Sequence, residues 1–189
     1  MKLQSPRIMM FVLIGVLFSS IFYVSGCGSR EKVSAKTPWE YVELGKTDYK
    51  QGKFAKAISE YNKAIEVKPN LGDAYYHRGR AYIEQGNLPQ AISDFNKAIE
   101  INPNLAYVYD DRGRAYSKQG NLPQAISDYS KAIEIDPKRG YVYCDRGRAY
   151  YTAKEYDKAW ADVHKAEELG NGFDPKFLDS LIKASGRDK

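Results

Sequence analysis

The sequence predicts an all-α solenoid, with four helical hairpins stacked in a row and closed by one further helix. Residues 78–103 return 34 residues later as residues 112–137, with 21 of 26 positions identical, a period typical of stacked two-helix units. Small residues and tyrosines recur in columns at that period. Within one unit Ala91, Ile92, Phe95, Ala98 and Ile99 fall at i, i+1, i+4, i+7 and i+8, the stripe of a helix buried along one face. An array of this kind offers an extended surface for holding other proteins and brings no catalytic chemistry of its own.

The first 26 residues read as an export signal and not as part of the fold. Lys2 and Arg7 precede an apolar run over residues 8–24, followed by Ser25, Gly26 and Cys27. The run has 17 residues, the short edge of a spanning helix, so an uncleaved anchor is the alternative. Val24-Ser25-Gly26-Cys27 resembles the lipobox of bacterial lipoproteins, which implies cleavage before Cys27 and a diacylglyceryl group on its sulfur. Where the cell has an outer membrane, the resemblance favours it, because Gly28 stands where a retention signal has Asp. Residues 27–37 then form the lipidated cysteine and a polar, flexible tether. Removing Lys2 and Arg7 lowers the net charge from +5 to +3, too mild for a nucleic-acid surface. With Cys27 acylated, Cys144 is the only thiol left and no internal disulfide is available.

The period divides residues 38–173 into units 38–71, 72–105, 106–139 and 140–173. The eighth position is always Gly (Gly45, Gly79, Gly113, Gly147). The twentieth is always Ala (Ala57, Ala91, Ala125, Ala159), as is the twenty-seventh (Ala64, Ala98, Ala132, Ala166), and the fourth is always Tyr (Tyr41, Tyr75, Tyr109, Tyr143). This pattern resembles the tetratricopeptide repeat family, whose 34-residue unit is a helix–turn–helix, and the resemblance implies a right-handed solenoid. Arg78, Arg112 and Arg146 depart from it where the family prefers Leu, Asp48 where it has Tyr, and Asn171 where it closes with Pro.

Local signals place the breaks. Gly86 and Gly120 are expected to close the first helix of their units, with Asn87 and Asn121 capping the second and Gln90 and Gln124 completing capping boxes. Lys154 takes the glycine's place in the fourth unit, which predicts a strained or differently shaped turn. Thr37, Pro38 and Glu40 open the folded domain. Asp174 and Pro175 open a last helix within residues 174–189, whose Phe177, Leu178, Leu181 and Ile182 cover the end of the array.

The resemblance also implies a concave groove lined by the first helix of each hairpin. Its inward positions hold Trp39, Lys46, Tyr49, Tyr76, Arg80, Tyr107, Arg114, Tyr141, Arg148 and Tyr151, the candidate binding residues, with His77, Asp110, Asp111, Cys144 and Asp145 among their neighbours. Tyr and Arg concentrate binding energy at protein interfaces. Ten of the 16 tyrosines occupy scaffold positions and are expected to pack in the core. Helical spacing pairs Asp110 and Asp111 with Arg114, and Asp145 with Arg148. The clamp by which chaperone-binding relatives hold a terminal carboxylate is absent, since Val42, Lys46, His77, Tyr107 and Asp111 fill its positions, and one unit on Tyr76, Arg80, Asp111, Tyr141 and Asp145 do.

Catalytic readings find little support. His77 and His164 lie on different hairpins without metal-ligand or nucleophile spacing, and Asp145 beside Cys144 disfavours a thiolate. No cofactor, metal or nucleic acid is implied. The expected partners are other proteins or peptides, with a membrane reached through the lipid anchor. The alternative is a structural element that self-associates through its hairpins or cap.

Overall fold

The computed structural model describes residues 36–187, so the signal, Cys27 and most of the tether lie outside the described residues. Nine helices follow one another there without a strand: α1 (Pro38–Lys50), α2 (Phe54–Val67), α3 (Gly72–Glu84), α4 (Leu88–Ile101), α5 (Ala106–Lys118), α6 (Leu122–Ile135), α7 (Gly140–Thr152), α8 (Tyr156–Glu168) and α9 (Pro175–Ser185). Each unit holds one hairpin, and its second helix packs on the first helix of the next unit. First helices also touch in succession, α1 with α3, α3 with α5 and α5 with α7. The result is the predicted solenoid, with one layer of first helices and one of second helices. None of the described helices is long and apolar enough to cross a membrane.

The small columns set how closely the two helices of a hairpin approach. A Cβ on Gly79 would lie 2.8 Å from the Phe95 ring, and one on Gly113 2.8 Å from the Tyr129 ring. Phe95 and Tyr129 are buried as a result, each ring contributing roughly 2 kcal/mol of burial free energy. In the fourth unit the equivalent residue is the smaller Val163, and Phe173 from beyond α8 fills the space beside Gly147.

Caps explain where helices begin and end. Thr37 and Glu40 form the predicted capping box, and the Asp174 carboxylate accepts from the Lys176 and Phe177 amides. The predicted caps at Asn87 and Asn121 do not form. Both have ψ near 70° (71° and 73°), short of the extended geometry of Thr37 and Asp174 (157° and 144°) that aims a side chain back over the first turn. Their backbones serve the preceding helix: Asn87 N–H donates to Tyr82 C=O and Asn121 N–H to Tyr116 C=O.

Gly86 and Gly120 close those turns with φ of +76° and +78°. Lys154 keeps the same turn shape, with Glu155 N–H donating to Tyr150 C=O at 2.9 Å, but it must hold φ at +62°. The turn is therefore strained, not reshaped. Lys154→Gly is expected to raise stability by about 1 kcal/mol in urea unfolding. An unchanged or lowered midpoint would show that the left-handed lysine costs nothing.

The departures at Arg78, Arg112 and Arg146 prove structural. Each guanidinium makes a two-point bond to a buried aspartate on its own second helix, with Arg78 Nε and Nη2 reaching Asp94 at 2.8 and 2.7 Å. Arg112 grips Asp128 and Arg146 grips Asp162 in the same way. The remaining nitrogen of each reaches the preceding unit, at Asn62, Asn96 and Ser130. Bidentate, charge-assisted pairs of this geometry repay desolvation where single contacts do not. The first unit has Leu44 and Glu60 at the corresponding positions, and Leu44 is 37% exposed beside Trp39.

At the other end α9 closes the array. Phe177, Leu178 and Leu181 are buried against Trp160, Val163 and Phe173, and Ile182 packs at the margin. Phe177 and Leu181 thus cover the fourth unit.

Candidate functional site

The candidate residues lie on α1, α3, α5 and α7, but the structure divides them into clusters. Lys46, Tyr49 and Arg80 meet around a cavity of about 280 Å³ between the first and second units, together with Lys50, Tyr61 and His77. Tyr49, Arg80 and Arg114 also border a second cavity, of about 140 Å³, with Ile83, Glu84, Asp111 and Lys118. Tyr76 and Tyr107 stack edge to face at 4.7 Å, and Tyr141 lies against Arg114 and Arg139.

Three candidates sit apart from these clusters. Trp39 is 49% exposed and lines a separate cavity at the outer edge of the first unit, with Lys36, Glu40, Glu43, Leu44 and Thr47. Tyr151 packs edge to face on Phe177 at 5.4 Å, and Arg148 covers the Phe173 and Phe177 rings. Both therefore belong to the junction with α9. Cys144 packs there too, and burial pushes its thiol pKa up, with Asp145 adding to the effect.

The arginine column is tied from unit to unit. Arg80 pairs with Asp111 at 3.8 Å, Arg114 with Asp145 at 2.7 Å, and Arg148 with Asp174 at 3.4 Å. Arg114 also holds Asp110 at 3.5 Å and Asp111 at 3.7 Å, as helical spacing predicts. The expected Asp145–Arg148 pair is replaced by Asp145–Arg114, because Arg114 extends across the junction onto the next first helix. Tyr76 donates its hydroxyl to Asp111 at 2.9 Å and Tyr49 donates to Glu84 at 3.2 Å.

Two titratable groups stand out. Asp110 is 3% exposed and its Oδ1 has no hydrogen-bond partner. Burial outweighs the attraction of Arg114 and pushes its pKa up to about 7. His77 is held down to about 4, first by burial and then by Lys46 and Arg80, so it is neutral at physiological pH. Lys50 joins the cluster beyond the residues expected from the sequence, and its signal is its place four residues after Lys46 on the same helix face. Among the described residues no His, Cys, Asp and Glu group has a metal-holding arrangement.

Paired cations and half-buried tyrosines, carried on the first helices of stacked hairpins, define a helical-repeat protein. Tetratricopeptide repeat models match residues 72–105 and 95–127, and a TPR repeat model matches residues 45–83 and 113–154. Together these matches run from residue 45 to residue 154, more than half of the chain, which belongs to the tetratricopeptide repeat family. No curated protein sequence matches it. Among solved structures it is similar to a crystal structure of MamA, at 29% identity and a TM-score of 0.68, covering 70% of this chain and 78% of that one. A second MamA structure shares the fold at 22% identity and a TM-score of 0.70, covering 79% and 82%. The first TPR domain of Spaghetti (RPAP3), solved with the HSP90 peptide SRMEEVD, is similar at 26% identity and a TM-score of 0.61, covering 62% of this chain and 93% of that one.

Proposed function

We propose that the protein is a membrane-anchored adaptor that holds an extracytoplasmic partner protein in the groove of its first helices. The observation that carries this reading is the series of tyrosines and basic residues on the first helices, of which Lys46, Tyr49, Arg80 and Arg114 border two adjoining cavities and Tyr141 lies against Arg114. Similarity to the Spaghetti domain, solved with a bound peptide, supports a polypeptide as the ligand. The anchor rests on residues 24–27 and Cys27. The cargo is proposed to be an envelope, pilus or secretion-complex component met outside the cytoplasm.

Replacing Tyr107, Arg114 and Tyr141 together with Ala is expected to weaken an authentic partner by at least about 2 kcal/mol, with helicity retained. Added salt should weaken the wild-type complex as well. Melting has to be followed alongside, because Arg114→Ala leaves Asp110, Asp111 and Asp145 without their shared cation. A partner whose affinity ignores this variant at a temperature where it is folded refutes the groove.

Cys27→Ser tests the anchor separately. It is expected to release the protein from membranes or to leave an unprocessed precursor, read by membrane fractionation and mass spectrometry. A mature, acylated and membrane-bound variant would end the lipoprotein reading.

A further inference from the structure

Charge is distributed unevenly along the groove. At three junctions an arginine of one unit meets an aspartate of the next element: Arg80 with Asp111, Arg114 with Asp145, Arg148 with Asp174. At the first junction the equivalent residues are Lys46 and His77, so a histidine takes the place of the facing aspartate. The 280 Å³ cavity there is walled by three cations, Lys46, Lys50 and Arg80, and three rings, Tyr49, Tyr61 and His77. Lys50 makes no ion pair among the described residues, and Lys46 is paired only with Glu43 on its own helix, itself 70% exposed. Arg80 reaches Asp111 only at 3.8 Å, and its guanidinium lies 5.2 and 5.8 Å from the centres of the Tyr49 and Tyr76 rings. The remaining nearby acid, Glu84, accepts from the Tyr49 hydroxyl at 3.2 Å.

We propose that this cavity receives the carboxylate of an internal Asp or Glu side chain in an extended segment of the partner, with Lys46, Lys50 and Arg80 as its counter-charges. The inference rests on the groove reading above and names the ligand chemistry of its first cavity. A polypeptide suits the site better than a small anion because the cavity shares Tyr49 and Arg80 with the next one. There Glu84 and Asp111 offer acceptors to backbone amides. The stem of the acidic side chain lies along Tyr49, as amphipathic side chains do on apolar surface. Ring contacts fix His77, which stacks on Tyr61 at 5.9 Å and tilts against Tyr76 at 5.0 Å. Burial first, and then the charges of Lys46 and Arg80, depress its basicity. A free C-terminus is not required, which separates this site from a terminal-carboxylate clamp.

His77 supplies a reporter inside the cavity, and His164 on α8 is the control. A library of random dodecapeptides, displayed without a free C-terminus, is selected on the full chain. The best binder is then synthesised as a C-terminal amide with its acidic residue intact or changed to the isosteric amide. Selected sequences should be enriched in Asp or Glu, and the acidic peptide should bind at least about tenfold tighter than its isostere. Saturation should move the imidazole resonances of His77 and raise its titration midpoint while leaving His164 in place. Lys46→Gln with Lys50→Gln should erase the difference between the two peptides. Binders without acidic residues that are lost on changing Tyr107, Arg114 and Tyr141 would overturn the acidic site and leave the groove reading standing. Binders indifferent to both sets of changes would overturn both. Failure to enrich acidic sequences, or acidic binders that leave His77 unmoved, would overturn the acidic site alone.

Discussion

Asp128→Ala is expected to lower stability by about 3 kcal/mol, because it strips a largely buried guanidinium of its counter-charge. The Arg112 side chain is only 18% exposed and its acceptor 8%, so little water can replace the lost carboxylate. Two bonds at 2.8 and 2.7 Å disappear, leaving Arg112 with only Asn96 at 2.6 Å. Replacing both partners, Arg112→Met with Asp128→Leu, is expected to recover most of the loss, since removing a buried pair whole costs far less than removing half of it. Chemical denaturation of the three proteins decides the matter. Equal losses in the single and double variants would mean that the arginine is held by packing and not by its partner.

Asp110→Asn is expected to stabilise the fold, increasingly so as pH rises. Burial lifts the folded pKa of Asp110 to about 7, against an ordinary carboxyl value near 4 in the unfolded chain. Below pH 4 both states are protonated and the residue costs nothing. Between pH 4 and pH 7 the unfolded chain ionises while the folded one does not, so wild-type stability falls with pH, and above pH 7 the cost levels off. The advantage of the variant should therefore grow by about 3 kcal/mol between pH 5 and pH 8. Arg114 keeps Asp111 and Asp145 in either case. A pH-independent difference would show that Asp110 is ionised throughout.

The helices were legible because period, small columns and turn glycines all point to the same register, and Lys154 betrayed its strain by occupying a glycine position. What was hidden depended on reach between chain-distant atoms. Arg78, Arg112 and Arg146 are visible as departures from the family pattern, and their acceptors Asp94, Asp128 and Asp162 recur 16 residues on in the second, third and fourth units. Asp145 offered a local partner in Arg148, and only the packing of α5 against α7 shows that Arg114 reaches it first. The caps assigned to Asn87 and Asn121 failed because a residue type does not specify ψ. Position likewise placed Tyr151 and Arg148 in the groove, where the α9 rings meet them instead.

The buried arginines bear on the groove they never face. Each is carried on a first helix but bonds to two second helices, Arg78 to Asn62 on α2 and Asp94 on α4, and so clasps the outer layer at every junction. These clasps fix the spacing of successive outer helices, and through each hairpin the placement of the inner one. A partner of the proposed groove would then meet a surface shaped in advance, and docking would forfeit less conformational entropy than on a pliant one.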